Sequence, residues 1–146
     1  YNIIPDDIML CGTVRTFKPA LQQLAEATIR RISAGIATMF GITVEVNFIR
    51  GYPATINHAA ESDYAAKIAA DVVGPENVSQ DPNPKMGAED FSYMLNERPG
   101  CYIWIGNGPG EGGCYLHNAH YDFNDDATPY GASYWARLVE TRLAKR

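Results

Sequence analysis

The chain has little cysteine, and what it has does not pair. Cys11, Cys101 and Cys114 make an odd count of three. None stands in a CxxC pair, which excludes a zinc ribbon and a dithiol redox motif and leaves buried free thiols in a reducing compartment as the expectation. Long apolar runs are absent too. No stretch approaches the ~20 residues that cross a bilayer, and no charged-then-apolar leader opens the chain. Positive charge is in deficit: 12 Lys and Arg against 17 Asp and Glu give a net charge of −5. That balance excludes nucleic acid and anionic membrane as main partners, and a cytoplasmic location is expected. Internal repeats and low-complexity segments are missing. So is an initial methionine: Tyr1 stands almost directly before strand-like sequence, so the chain is expected to be a piece of a longer polypeptide.

What is present suits a folded domain. At 146 residues the chain can bury a core. Residues 6–17 alternate and are rich in Ile, Leu, Val and Thr, the pattern of a strand. Pro19 fits a first helical position, Leu21, Leu24, Thr28, Ile32 and Ile36 follow at helical spacing, and Gly41 fits a C-terminal cap. Ile42, Val44, Val46 and Phe48 alternate with polar residues as a strand with one buried face, and Gly51-Tyr52-Pro53 breaks it. Strand, helix, strand is a thin unit, and two strands alone are marginal, so further strands are expected upstream. A second region starts near Asn57. Tyr64, Ile68 and Val72 share a helical stripe that ends at Gly74-Pro75. A short helix is expected from Glu89 to Asn96 with Glu89 and Asp90 in its first turn, and a short strand from Cys101 to Ile105. A last helix is expected from Thr128-Pro129 with Tyr134, Trp135, Leu138 and Leu143 inward, ending on Lys145 and Arg146.

Several motifs carry chemistry. Gly108, Gly110 and Gly113 form a GxGxxG after a strand, but Cys114-Tyr115-Leu116 follows where a dinucleotide site needs a helix; the loop fits the rim of a cleft instead. Asn77-Val78-Ser79 matches a glycosylation pattern too short to weigh. Leu116-His117-Asn118-Ala119-His120-Tyr121-Asp122 concentrates imidazole and carboxylate at a strand end. His117 fits a metal ligand, a general base or an ordinary loop histidine. Asp122 fits a residue orienting a histidine, and Asp125 and Asp126 fit helix caps. Arg15 offers a planar fork that suits a carboxylate, against the plain alternative of a solvated strand arginine. Asn2 could donate to a carbonyl or serve a turn. In Met86-Gly87-Ala88-Glu89-Asp90-Phe91, Gly87 would let a ligand approach the backbone, or the segment simply caps a helix.

The ordered set Asn2-Ile3-Ile4-Pro5-Asp6, Gly12-Thr13-Val14-Arg15, Gly51-Tyr52-Pro53, Met86 through Phe91 and Leu116 through Asp125 resembles the M20 metallopeptidase family over essentially the whole chain. It is most similar to the amidohydrolase branch that includes hippurate, N-acyl-amino-acid and auxin-conjugate hydrolases. The resemblance implies an α/β subunit of two domains: a catalytic domain binding two divalent ions (zinc, manganese, nickel or cobalt) and an inserted α+β lid carrying homodimer contacts. Residues 1–56 would be the second half of a ferredoxin-like lid, and 57–146 the C-terminal segment of the catalytic domain. By the same resemblance, His117 is a metal ligand, while Arg15, Asn2 and Gly87 bind substrate. Glu89 and Asp90 match the motif without a defined role, and no role passes to His120. The family's Cys-Gly-His segment, its other ligands and its general-base glutamate have no counterpart here. The implied function is thus the C-terminal part of an amidohydrolase that splits an N-acyl amino acid into a carboxylic acid and an amino acid. No catalytic residue lies in this chain, and the fragment alone is expected to be inactive. The alternatives are an oligomerisation module working through an unpaired sheet edge and a non-catalytic ligand-binding domain.

Overall fold

Helices begin and end where the sequence supplies the chemistry to do so. In the computed structural model, which describes residues 2–108 and 114–143, α1 spans Pro19–Phe40. Its leading proline loses no bond there, since the first N–H groups of a helix have no intrahelical partner. Gly41 closes α1 at φ 64 and gives its N–H to the Ala37 carbonyl; this left-handed cap is one that glycine adopts without a Cβ clash. α2 spans Ala59–Val73 and stops at Gly74, α3 spans Phe91–Glu97, and α4 spans Thr128–Arg142 with a proline in its first turn. Short 3-10 turns occupy Pro75–Asn77 and Asp125–Ala127.

The expected strands do not form. Among the described residues there is no strand, so residues 6–17, 42–48 and 101–105 carry no ladder. The α/β architecture is seen only in its helical part, and half of a ferredoxin-like lid has no observed counterpart. The reason is physical. Alternation decides which face of an extended segment is buried, but it does not supply the neighbour whose N–H and C=O groups complete a sheet.

The chain divides into two compact units, Tyr1–Ala54 with Lys85–Glu89 and Thr55–Pro84 with Asp90–Arg146. In the first, charge fastens α1 to the segment that carries Val46 and Arg50. Arg30 donates Nε and Nη2 to Glu26 Oε1 at 3.1 and 3.0 Å and Nη1 to the Val46 carbonyl at 3.0 Å. Arg50 donates Nε and Nη2 to Glu26 Oε2 at 3.3 and 2.8 Å. The Arg50 hydrogen bonds first, and those of Arg30 next, hold the Glu26 carboxyl below its ordinary value of 4.5. The apolar stripe of α1 is open: Leu24 is 60% exposed and Ile32 49%.

The second unit holds the core. α2 and α4 pack together, with Ala65, Ile68 and Tyr134 buried; Leu95 and Ser92 of α3 and Ala127 of the turn before α4 are buried as well. Burial pushes the Tyr134 phenol up, with smaller contributions from Cys101 and Tyr64. The Tyr64 hydroxyl shares a 2.7 Å hydrogen bond with that of Thr141, and the Arg142 guanidinium lies 5.2 Å from the Tyr64 ring centroid. A Cβ at Gly131 would stand 3.1 Å from Ile105 Cδ1, so glycine allows the chain near residue 105 to lie close against α4. Trp135 and Leu143, expected inward, are exposed. One residue along a helix is a turn of about 100°, so burying Tyr134 carries Trp135 off that face, where its ring meets Tyr134 edge-on at 5.3 Å. Lys145 and Arg146 lie outside the described residues.

Side chains complete the pairing that strands would have made. His58 N–H donates to the Gly100 carbonyl at 3.0 Å, and Gly100 N–H donates to His58 Nδ1 at 3.2 Å. The Asn57 amide answers Tyr102 in the same way, donating from Nδ2 to its carbonyl at 2.9 Å and accepting its N–H at 2.8 Å.

Candidate functional site

In the first unit, Arg15 donates Nη1 to the Met86 carbonyl at 2.6 Å. That bond brings the arginine to the Met86-Gly87-Ala88 segment, 71 residues away in sequence. A guanidinium has five N–H groups, so most of its fork remains for a carboxylate. Gly87 is exposed, and nothing lies within 4 Å of where a Cβ would be. Asn2 belongs to the same unit and is exposed. Glu89 and Asp90 do not enter a helical first turn as expected. α3 starts at Phe91, and Asp90 stands at its N-cap without a side-chain cap bond. The cause is local: Asp90 already has helical backbone angles, φ −72 and ψ −21, whereas a capping side chain works from an extended residue.

His117 lies in the second unit, exposed, at φ 67. Among the described residues it is the one non-glycine with positive φ. Left-handed backbone costs a side-chain-bearing residue about 1–2 kcal/mol, and such strain gathers at functional positions. The turn beyond it is set by Asn118, whose Oδ1 accepts His120 N–H at 2.9 Å and whose carbonyl accepts Tyr121 N–H at 3.0 Å. Among the described residues no three His, Cys, Asp or Glu side chains gather to hold an ion. Among the described residues His117 and His120 are exposed imidazoles with no third donor gathered beside them, so a divalent metal here would need ligands from other residues.

The carboxylates nearby do other work. Asp122 is exposed, and it is its carbonyl that is engaged, accepting from Asn107 Nδ2 at 2.8 Å. Asp125 and Asp126, expected as caps, lie inside the 3-10 turn; the cap is Asn124, whose Oδ1 accepts Asp126 N–H at 3.1 Å. Asn77, of the short glycosylation pattern, closes α2 by donating to the Val73 carbonyl at 2.8 Å. Of the glycine loop, Gly108 has φ 75; Gly110 and Gly113 lie outside the described residues. Cys11 is exposed rather than buried, because the segment expected to be a strand has nothing packed over it. Cys101 and Cys114 are half-buried, and none of the three forms a disulfide. No described helix is long and apolar enough to cross a membrane.

Four residues were missed by reading the sequence: Asn57, His58, Asn107 and Asn124. Asn107-Gly108 carried a turn signal. Asn124 falls within the run of residues 116–125 without a role being given to it; Asn57 and His58 sit in no motif, and their partners are backbone atoms 45 and 42 residues away.

Comparison with known proteins places this arrangement. The profile of peptidase family M20/M25/M40 matches residues 5–141. Hippurate hydrolase of Campylobacter jejuni is 33% identical over 139 residues, covering 95% of this chain and 36% of that protein. Thermostable carboxypeptidase 1 of Saccharolobus solfataricus is 33% identical over 141 residues, covering 94% of this chain and 35% of that protein. N-acetylcysteine deacetylase of Bacillus subtilis is 30% identical over 140 residues, covering 95% of this chain and 35% of that protein. The chain spans about a third of the length of the curated relatives it matches. No solved structure is significantly similar. With a family match over nearly every residue, this chain belongs to peptidase family M20/M25/M40.

Proposed function

We propose that this chain is the C-terminal part of a cytoplasmic, metal-dependent amidohydrolase that splits N-acyl amino acids into a carboxylic acid and a free amino acid. The observation that carries the reading is the family match over residues 5–141, shared with relatives named for hydrolysing hippurate and deacetylating N-acetylcysteine. Residues 1–56 would form half of a lid domain that also holds a homodimer together, with segments 6–17 and 42–48 paired to strands from upstream. Residues 57–146 would return into the catalytic domain.

The chain's own residues then have defined tasks. His117 donates one ligand to the metal site. Arg15, already directed to the Gly87 segment by its bond to Met86, holds the amino-acid carboxylate with its remaining N–H groups. Gly87 lets the substrate lie against the backbone, and Asn2 donates to the amide carbonyl. Divalent ions, when bound, supply carbonyl polarisation and an acidified water; the general base must come from outside this chain.

The test uses the complete polypeptide that contains this sequence, loaded in turn with zinc, manganese, nickel and cobalt and assayed on a panel of N-acyl amino acids. Amino-acid release is expected, and its absence across the panel would reject the reading. His117→Ala should lose both bound metal and turnover, and full metal stoichiometry with normal rate would remove His117 from the site. Arg15→Ala should raise KM for carboxylate-bearing substrates more than for their amides. The 146-residue chain alone should give no turnover with any of the metals.

A further inference from the structure

Two asparagines on either side of His117 in sequence, Asn107 and Asn124, are bonded to one another. Asn107 Nδ2 donates to the Asp122 carbonyl at 2.8 Å, and Asn107 Oδ1 accepts Asn124 N–H at 2.8 Å. Asn124 Nδ2 returns a bond to the Asn107 carbonyl at 3.1 Å, while its Oδ1 accepts Asp126 N–H at 3.1 Å. Both side chains are half-buried, so their bonds are partly shielded from competing water. Gly108 follows Asn107 with φ 75, a left-handed backbone that glycine adopts without a Cβ clash.

We propose that Asn107 and Asn124 are positioning residues, a reciprocal amide clasp that anchors the segment downstream of His117 so that His117 keeps its left-handed backbone. A strained residue persists only where its surroundings over-determine it. The local turn at Asn118 acts on one side of His117 alone. The clasp fixes Asp122 and Asn124 against Asn107, and it is joined to the 3-10 turn before α4 through the Asp126 bond. For the metal-ligand role of His117 the inference rests on the function proposed above; for the backbone geometry it does not.

The experiment separates the two. In the isotopically labelled 146-residue chain, positive φ at His117 gives a strong intraresidue HN–Hα cross-peak. In Asn107→Ala and Asn124→Ala that cross-peak should weaken. Amide exchange at His120 and Tyr121, whose N–H groups bond to Asn118, should accelerate about tenfold, as for loss of a hydrogen bond's worth of protection. Exchange in α2 should be unchanged. Asn107→Asp keeps the acceptor for Asn124 N–H and loses the donor to Asp122, so its effect should fall between; it also serves if either alanine variant fails to fold. Wild-type cross-peak and exchange in the variants would overturn the clasp, as would acceleration spread equally through α2, which would mark the asparagines as general structural staples. In the complete polypeptide, the same variants should lower metal occupancy. A displaced His117 backbone with unchanged occupancy would leave the clasp standing and reject His117 as a ligand.

Discussion

A single exposed histidine in left-handed backbone sets function against stability at one position. At φ 67 the Cβ of His117 carries a penalty of about 1–2 kcal/mol that glycine would not. Glycine loses back some of this through the greater freedom of the unfolded chain, about 0.5–1 kcal/mol. His117→Gly is therefore expected to stabilise the chain by about 0.5–1 kcal/mol, seen as a higher urea midpoint at unchanged slope, while removing the proposed metal ligand. A loss of stability instead would mean that the imidazole makes packing contacts that offset the strain. The residue stood out in the sequence because imidazole beside carboxylates in a polar loop is an unusual composition. Its strain did not, since φ depends on how the neighbouring segments are held. Arg15 shows the same division. The fork's suitability for a carboxylate follows from its chemistry, but its bond to Met86 joins residues that no sequence spacing connects.

At the scale of elements, helices were legible and strands were not. Pro19 and Gly41 bracket α1 with local chemistry, and a helix satisfies its own backbone. Residues 42–48 alternate just as clearly, but their pairing depends on a neighbour. Asn57 and His58 show how a neighbour can be replaced, with side chains standing in for a partner's peptide, and no periodicity announces that. The tie from α1 to Val46 and Arg50 depends on pH. Glu26 has a carboxyl held low in the folded chain, so its contribution is present above the ordinary carboxylate value and is lost as pH falls through the folded value. Acid titration of the denaturation midpoint should show this loss in the wild type and not in Glu26→Gln, which carries no titrating group there. Parallel titrations would show that the Arg30 and Arg50 bonds do not stabilise the fold. In the second unit, Ile68 is 2% exposed between α2 and its neighbours, and Ile68→Ala should cost about 2–4 kcal/mol through lost burial and a residual cavity. A cost under about 1 kcal/mol would mean that α2 and α4 collapse around the gap.

For the molecule as a whole, the apolar surface decides behaviour in solution. Ile3, Ile4, Met9 and Leu10 are 87%, 91%, 84% and 92% exposed, and the α1 stripe is open as well. Monomeric proteins rarely leave so many large apolar side chains this open to water, and segments of strand-like sequence without a partner offer unpaired N–H and C=O groups to other chains. The net charge of −5 opposes close approach of copies, but ~0.15 M salt screens it beyond roughly 8 Å, whereas apolar burial persists. The isolated chain should therefore self-associate at micromolar concentration, giving sedimentation masses above the 16.1 kDa monomer that increase with concentration and, because the driving force is apolar, do not fall when salt is raised. Ile4→Lys with Leu10→Glu, placing charge on the most exposed stretch, should move the distribution back toward monomer without changing helix content. A wild-type chain that sediments at 16.1 kDa across the whole range would show that the open stripe and the segment before it do not drive association, and would remove the support that exposure gives to a homodimer through residues 1–56.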